Sequence, residues 1–344
     1  MVAAILKFYN IKQCGLYDDA GKRKLGSLSA VLEDLLAWAI TDKKPVKATN
    51  TFSESDDLSV ATVYIANLCV SSNDDYFLET WNEVPSIGGS VPGLVETSIA
   101  GSPVIKDGAA IKGTIPGYPT YFWFMPDKDM VATITFQGRR NGMPGLTTHF
   151  SNYIFGFSKY VVRENPKDAE STILGYSANG KNPSAPLEAA FFCTPSRKLT
   201  DLEFIRANRS RISKIVRKST VKETRQKDLA FWQWTLSDVG LTKTAITSKD
   251  LNVKYEIKVT PSEKGLERIL SEYQEHVGND WEDIGFQFKG EQGPRWLSQS
   301  RVKYEVNLSD SIFSNLAIDI TKLRSELTKS RDEIFATIFP SKPA

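Results

Sequence analysis

The chain has 344 residues, 41% hydrophobic and 24% charged, enough for about two domains whose cores need no metal or disulfide staple. Its three cysteines, Cys14, Cys69 and Cys193, are odd in number and far apart. That excludes a disulfide framework and a CxxC zinc site, and points to a reducing, cytoplasmic compartment. The first residues lack a signal-peptide pattern, and no run approaches the roughly 20 apolar residues of a spanning helix.

Net charge is only +2, but it is unevenly placed. Between Arg197 and Lys227 stand eleven Lys and Arg against three acids, a local balance of +8 that leaves −6 for the rest. A near-neutral chain with one basic segment predicts an anionic partner for that segment.

In chain order, residues 2–11 read as an opening strand. Residues 28–40 place Leu28, Val31, Leu32, Leu35, Leu36 and Ala39 at three- and four-residue spacing, an amphipathic helix with Ser27 or Ser29 as cap. Residues 60–70 are β-branched and aromatic enough for a strand. Residues 85–119 hold seven Gly and five Pro, which favours turns between short strands. Strands over 118–124 and 130–136 flank the turn Pro126-Asp127-Lys128-Asp129. Residues 146–162 fit helix and strand equally. The polar stretch 163–170 marks the domain boundary, giving a β-rich domain over 1–165 and an α+β domain over 166–344.

Residues 199–218 read as a basic amphipathic helix. Leu202, Ile205, Ile212, Ile215 and Val216 share one side, Arg206, Arg211, Lys214, Arg217 and Lys218 spread over the rest, and Arg209 sits at the border. Residues 251–259 alternate Val253, Tyr255, Ile257 and Val259 against Lys254, Glu256 and Lys258, the pattern of a half-buried strand. A helix over 261–277 and strands over 284–288 and 302–308 follow. From 309 to 339, Leu316, Ile320, Leu323, Leu327, Ile334 and Ile338 form a heptad-like seam with a gap at Ser330. This long terminal helix either packs within its own domain or pairs with a second chain.

Catalytic patterns are weak. His149 and His276 have no acid or cysteine at a motif spacing, and both read as ordinary polar residues. Gly175-Tyr-Ser-Ala-Asn-Gly180-Lys181-Asn182 fits GxxxxGK but puts Asn where a phosphate loop needs Ser or Thr, so it reads as a solvated turn. Asp250, Glu256 and Lys258 spell D-x5-E-x-K, the residues of a Mg²⁺-dependent nuclease alternative. The basic segment is the stronger signal. Arg206, Arg209, Arg211, Lys214, Arg217 and Lys218, continued by Lys222 and Arg225, are placed to meet successive phosphates of double-stranded DNA. The alternatives are a solvated helix face or a non-catalytic protein-interaction module.

The order of elements resembles RexA, the DNA-binding sensor family of the lambda-type Rex phage-exclusion system. The resemblance is carried by the leucine-rich helix LSAVLEDLLAWAI and by Pro119-Thr-Tyr-Phe122, Asp129, Thr135-Phe-Gln-Gly138 and Leu146-Thr-Thr-His-Phe150. It continues through Leu251-Asn-Val-Lys-Tyr-Glu-Ile-Lys-Val-Thr-Pro261, Asp283-Ile284, Lys289-Gly-Glu-Gln-Gly293 and the terminal helix. The DNA-binding subunit of the Kiwa defence system is a more distant likeness. The resemblance implies a cytoplasmic homodimer that binds duplex DNA, senses phage infection and acts through a small membrane-protein partner. It aligns a DNA-contacting strand with residues 285–289, where Lys289 matches a basic position and Gln287 replaces another. Arg295, Arg301 and Lys303 lie nearby in sequence. The expected fold is α+β, with a β-rich N-terminal domain and an α/β C-terminal domain ending in a long helix. No catalytic residue, metal or cofactor is expected.

Overall fold

The computed structural model describes residues 1–52, 60–84, 91–107, 111–136, 141–165, 171–183, 186–221, 251–275, 283–314 and 317–339. The fold is α+β, with antiparallel sheets throughout and helix at the C-terminal end. It divides into two compact units, one of Met1–Cys193 with Lys303–Ala344, the other of Thr194–Val302. This division differs from the expected one. Residue 165 falls inside the first unit, and the terminal helices return to the unit that holds the opening strand.

The first unit is built on β1 (Val2–Tyr17), with the short β2 (Arg23–Leu25) folded back on its end. Then come α1 (Leu28–Leu36), β3 (Val63–Val70), β4 (Tyr76–Glu83), β5 (Gly93–Val95) and β6 (Ile105–Lys106). A hairpin of β7 (Thr114–Met125) and β8 (Met130–Phe136) leads into α2 (Met143–Gly156), β9 (Val161–Arg163), β10 (Ile173–Tyr176) and β11 (Glu188–Pro195). The sheet path is β11-β1-β8-β7-β4-β3. Later in the chain, β16 (Lys303–Leu308) pairs antiparallel with β1, placing Val2 opposite Leu308.

Local chemistry explains several of these elements. Ser27 caps α1 by accepting a hydrogen bond from the Ala30 amide, the sequence choice between Ser27 and Ser29. Residues 146–162, ambiguous by pattern, resolve as α2 followed by β9. In the hairpin, Asp129 takes a left-handed conformation at φ 47°, which short polar side chains tolerate. At Gly15 the backbone has φ 120°, and a Cβ there would lie 2.1 Å from the Gly26 carbonyl oxygen. Gly15→Ala is therefore expected to cost upwards of about 2 kcal/mol by backbone strain and overlap, read as a lowered urea midpoint.

The two faces of this sheet are covered by different helices. On one, α1 and α2 bring Leu32, Leu35, Leu146, Phe150 and Tyr153 against Leu78, Phe122, Phe124 and Val131. The other face receives the terminal helices. The expected single helix over 309–339 is instead α5 (Ile320–Lys329) and α6 (Arg331–Ile338), meeting at Ser330 where the heptad gap stands. Asp319 caps α5 by accepting from the amides of Thr321 and Lys322. Leu323, Leu327 and Ile334 are fully buried, and Phe335 meets Phe8 and Trp123 edge-on. Leu316 lies outside the described residues; the seam from Ile320 to Ile338 is spent inside the chain, which removes it as a pairing surface for a second copy.

The second unit is a four-stranded antiparallel sheet with two helices on one face. Its elements are α3 (Leu199–Ala207), β12 (Ile212–Val221), β13 (Leu251–Ile257), α4 (Glu263–Glu275), β14 (Asp283–Phe288) and β15 (Arg295–Trp296). The strand order is β13-β12-β14-β15. Leu202 and Ile205 of α3, with Leu266, Ile269, Leu270 and Tyr273 of α4, close over Ile212, Ile215, Ile284, Phe286 and Phe288. Among the described residues, no helix is long and apolar enough to cross a membrane.

Candidate nucleic-acid interface

The basic helix expected over 199–218 does not exist as such. It stops at Ala207, passes through a turn at Arg209–Arg211, and becomes β12. A strand alternates its side chains between two faces, so the cations separate.

Three of them are engaged on the helix side. Arg206 makes a bidentate pair with Glu267 of α4, at 2.7 and 3.0 Å. Arg295 makes another with Glu291, both bonds 3.0 Å, and stacks 4.1 Å from the Phe204 ring. These glutamates sit below the usual carboxylate range, each held there first by the hydrogen bond from its arginine. Arg217 lies in the same alternation as Ile215, opposite Tyr255 and Ile284. None of the three shares a face with Lys214 or Lys218.

At one end of the sheet, Arg209 donates to the Pro261 carbonyl at 2.8 Å, and Arg211 donates to Asn208 Oδ1 at 3.0 Å. The Lys289 amide donates to the Arg211 carbonyl, which brings Lys289 beside Arg211 although 78 residues separate them. Both arginines bond there to neutral oxygens.

The face opposite the helices holds the densest set. Lys218 stands directly across from Lys254, Lys214 across from Gln287, and Val216 between Glu256 and Gly285. Trp296 faces Gly285, and a Cβ at that glycine would come within 3.0 Å of the indole, so the ring lies close on bare backbone. The Lys218 ammonium sits 4.3 Å from the Trp296 ring centre. Two carboxylates stand among these lysines: the buried Asp283, across from Lys218, and Glu256, bonded to Lys214 at 2.7 Å and to Lys254 at 3.3 Å. The Glu256 pKa is lowered, first by the Lys214 hydrogen bond and then by Lys254.

Sequence reasoning missed Lys254 and Trp296. Lys254 was legible in the outward alternation of residues 253–259, whereas nothing in the pattern marks Trp296. Of the other expected contacts, Lys222 and Arg225 lie outside the described residues. Lys303 belongs to the first unit, in β16 opposite Lys7. Arg301 lies in the second unit, bridged across the backbone to Arg197.

The described residues do not bring a nuclease set together. Asp250 lies outside the described residues, Glu256 is tied to two lysines, and Lys258 is exposed beyond the end of β13. Among the described residues no group of three His, Cys, Asp or Glu could hold a metal. His149 is wholly buried, its Nε2 2.9 Å from the Thr49 carbonyl, and His276 lies outside the described residues. The GxxxxGK stretch starts in β10 and runs into a turn at Gly180 and Asn182, without the helix a phosphate loop needs. Comparison with family models, curated proteins and solved structures finds no match to this chain.

Proposed function

We propose that the chain binds double-stranded DNA through phosphate contacts made by the second unit. The observation that carries this reading is the pairing of Lys218 with Lys254 across β12 and β13, with Lys214 on the same face. That face sets three lysines against two carboxylates, Glu256 bonded to Lys214 and Lys254 and the buried Asp283 across from Lys218, so it keeps a positive excess that favours an anionic partner. The unit as a whole has 20 Lys and Arg against 15 Asp and Glu, while the other unit is net acidic. Trp296 adds a flat apolar surface beside the lysines, suited to a sugar or an exposed base.

A labelled duplex titrated across a salt series tests the reading. The triple variant Lys214→Gln, Lys218→Gln, Lys254→Gln is expected to lose affinity at least about tenfold near 0.1 M salt, with the slope of log K against log salt reduced by about 2–3. Arg206→Gln, which breaks only the Glu267 pair, is expected to leave the slope unchanged. Unaltered affinity and slope in a folded triple variant would remove this face from the proposal.

The likeness to RexA extends the proposal to a cytoplasmic sensor of phage infection, working as a homodimer with a small membrane protein. Such a dimer needs a surface other than the buried heptad seam. Phage plating on cells carrying the wild-type chain or the triple variant, each with the membrane partner, reads this further step. Equal plating on both would detach phage exclusion from this lysine face.

A further inference from the structure

The second unit contains a pair of arginines, Arg197 and Arg301, that make no ion pair among the described residues. Arg197 and Arg301 form an isolated antiparallel bridge, flanked by the Lys198 amide donating to Ser300 O and the Val302 amide donating to Ser196 O. In that register the two side chains leave the backbone on the same side, close together. Arg197 is 8% exposed. One nitrogen, Nη1, donates to the Leu297 carbonyl at 2.8 Å and to Ser300 Oγ, and the guanidinium stacks 4.4 Å from the Tyr273 ring. Nε and Nη2 of Arg197 and Nε of Arg301 are buried with no acceptor among the described residues.

The nearest carboxylate is engaged elsewhere. Asp283 Oδ1 accepts from Tyr273 Oη at 2.8 Å and from the Ile284 and Ser298 amides at 2.9 and 3.0 Å, and its Oδ2 accepts from Ser298 Oγ. Among the described residues, neither guanidinium bonds to it. Burial, and after it the repulsion of Arg301, push the Arg197 pKa down, while Tyr273 and then Asp283 oppose them. Two adjacent cations with three unpaired buried donors constitute a costly arrangement unless an anion completes it.

We propose that Arg197 and Arg301 form a binding site for a phosphate group. A tetrahedral phosphate offers two edges of oxygen pairs, which match the planar forks of two guanidinium groups. Arg301 is only half-buried, so the pair is reachable from its side. The site uses residues other than the lysines and stands whether or not their face binds DNA. Its phosphate belongs either to a nucleic-acid backbone or to a free ion or small phosphorylated molecule.

The test uses the full chain and inorganic phosphate. Thermal unfolding is followed at about 50 mM phosphate and in chloride of equal ionic strength, where a specific ligand is expected to raise the midpoint by about 2 °C or more. The shift should vanish in Arg301→Gln and fall in Arg301→Lys, which keeps the charge but loses the fork. No phosphate-specific shift in the wild type, or an equal shift in Arg301→Gln, overturns the proposal. Duplex binding by Arg301→Gln then separates the sources. Weakened binding assigns the site to backbone phosphate, and unchanged binding assigns it to a free phosphate ligand.

Discussion

Arg331→Met is expected to destabilise the first unit by about 3–5 kcal/mol near neutral pH, because it strands a buried carboxylate. Asp75 is 0% exposed. Its Oδ2 accepts from Arg331 Nε at 2.8 Å and from Trp123 Nε1 at 2.9 Å, and its Oδ1 from Arg331 Nη2 at 3.3 Å. Arg331 Nη2 also reaches Asp127 at 2.6 Å, and the guanidinium lies 5.2 Å from the Phe335 ring. One side chain therefore ties α6 to β4 and to the turn after β7. Methionine keeps much of the apolar stem and removes only the charge and its donors.

The pH dependence of that loss identifies its cause. In the wild type, burial pushes the Asp75 carboxyl above its usual range, while Arg331 and then Trp123 pull it back. Without Arg331 only the indole opposes burial, so the pKa climbs further. A raised carboxyl pKa favours the folded state at low pH and penalises it as pH rises through the folded value. Arg331→Met should thus lose most against wild type at pH 8 and less at pH 5, as measured by urea unfolding. Adding Asp75→Asn should restore part of the loss at pH 8. A deficit below about 1 kcal/mol at pH 8 would show that the pair contributes little beyond packing.

Where one face of an element is buried and the other wet, the sequence was readable. The spacing of Leu28, Val31, Leu32 and Leu35 located α1, and the alternation around Tyr255 located β13. β4 escaped notice because seven of its eight residues are buried, Glu79, Thr80 and Asn82 among them. A strand covered on both faces shows no alternation to detect. β12 misled for a different reason. Its register shifts between Ile212 and Lys214, so the core residues Ile212 and Ile215 stand three apart, and Val216 is buried from the other face. Together these imitate a helical stripe. That one bulge turned a strand with cations on both faces into an apparent basic helix. The lysine pair across β12 and β13 was beyond reach for the same reason, since it depends on which strand neighbours which.

His149 supplies the second large effect, as a pH dependence of stability. It is wholly buried in α2, with Nε2 against the Thr49 carbonyl and no partner for Nδ1. Thr51 Oγ1 donates to the His149 carbonyl at 3.2 Å, so the residue clasps α2 to the turn Val46–Thr49 and the chain just after it. Burial lowers its pKa from 6.5 to about 4, and the Thr49 hydrogen bond opposes this only in part. The folded state therefore holds a neutral imidazole that the unfolded chain protonates below its ordinary pKa. Stability is full above about pH 7 and falls as pH drops from 6.5 toward 4, by up to about 3 kcal/mol over the window. The difference between wild type and His149→Gln in urea unfolding from pH 7 to 5 isolates this contribution, because the raised Asp75 is common to both, and Asp18, Glu256, Glu267 and Glu291, with lowered pKa values, give up their share only at lower pH. His149→Gln should flatten the dependence while retaining an amide donor toward Thr49. An equal slope in the variant would mean that the imidazole already gains a proton in the folded chain. A neutral, enclosed imidazole without an acid beside it also has no proton to give a substrate, so its place is in the scaffold.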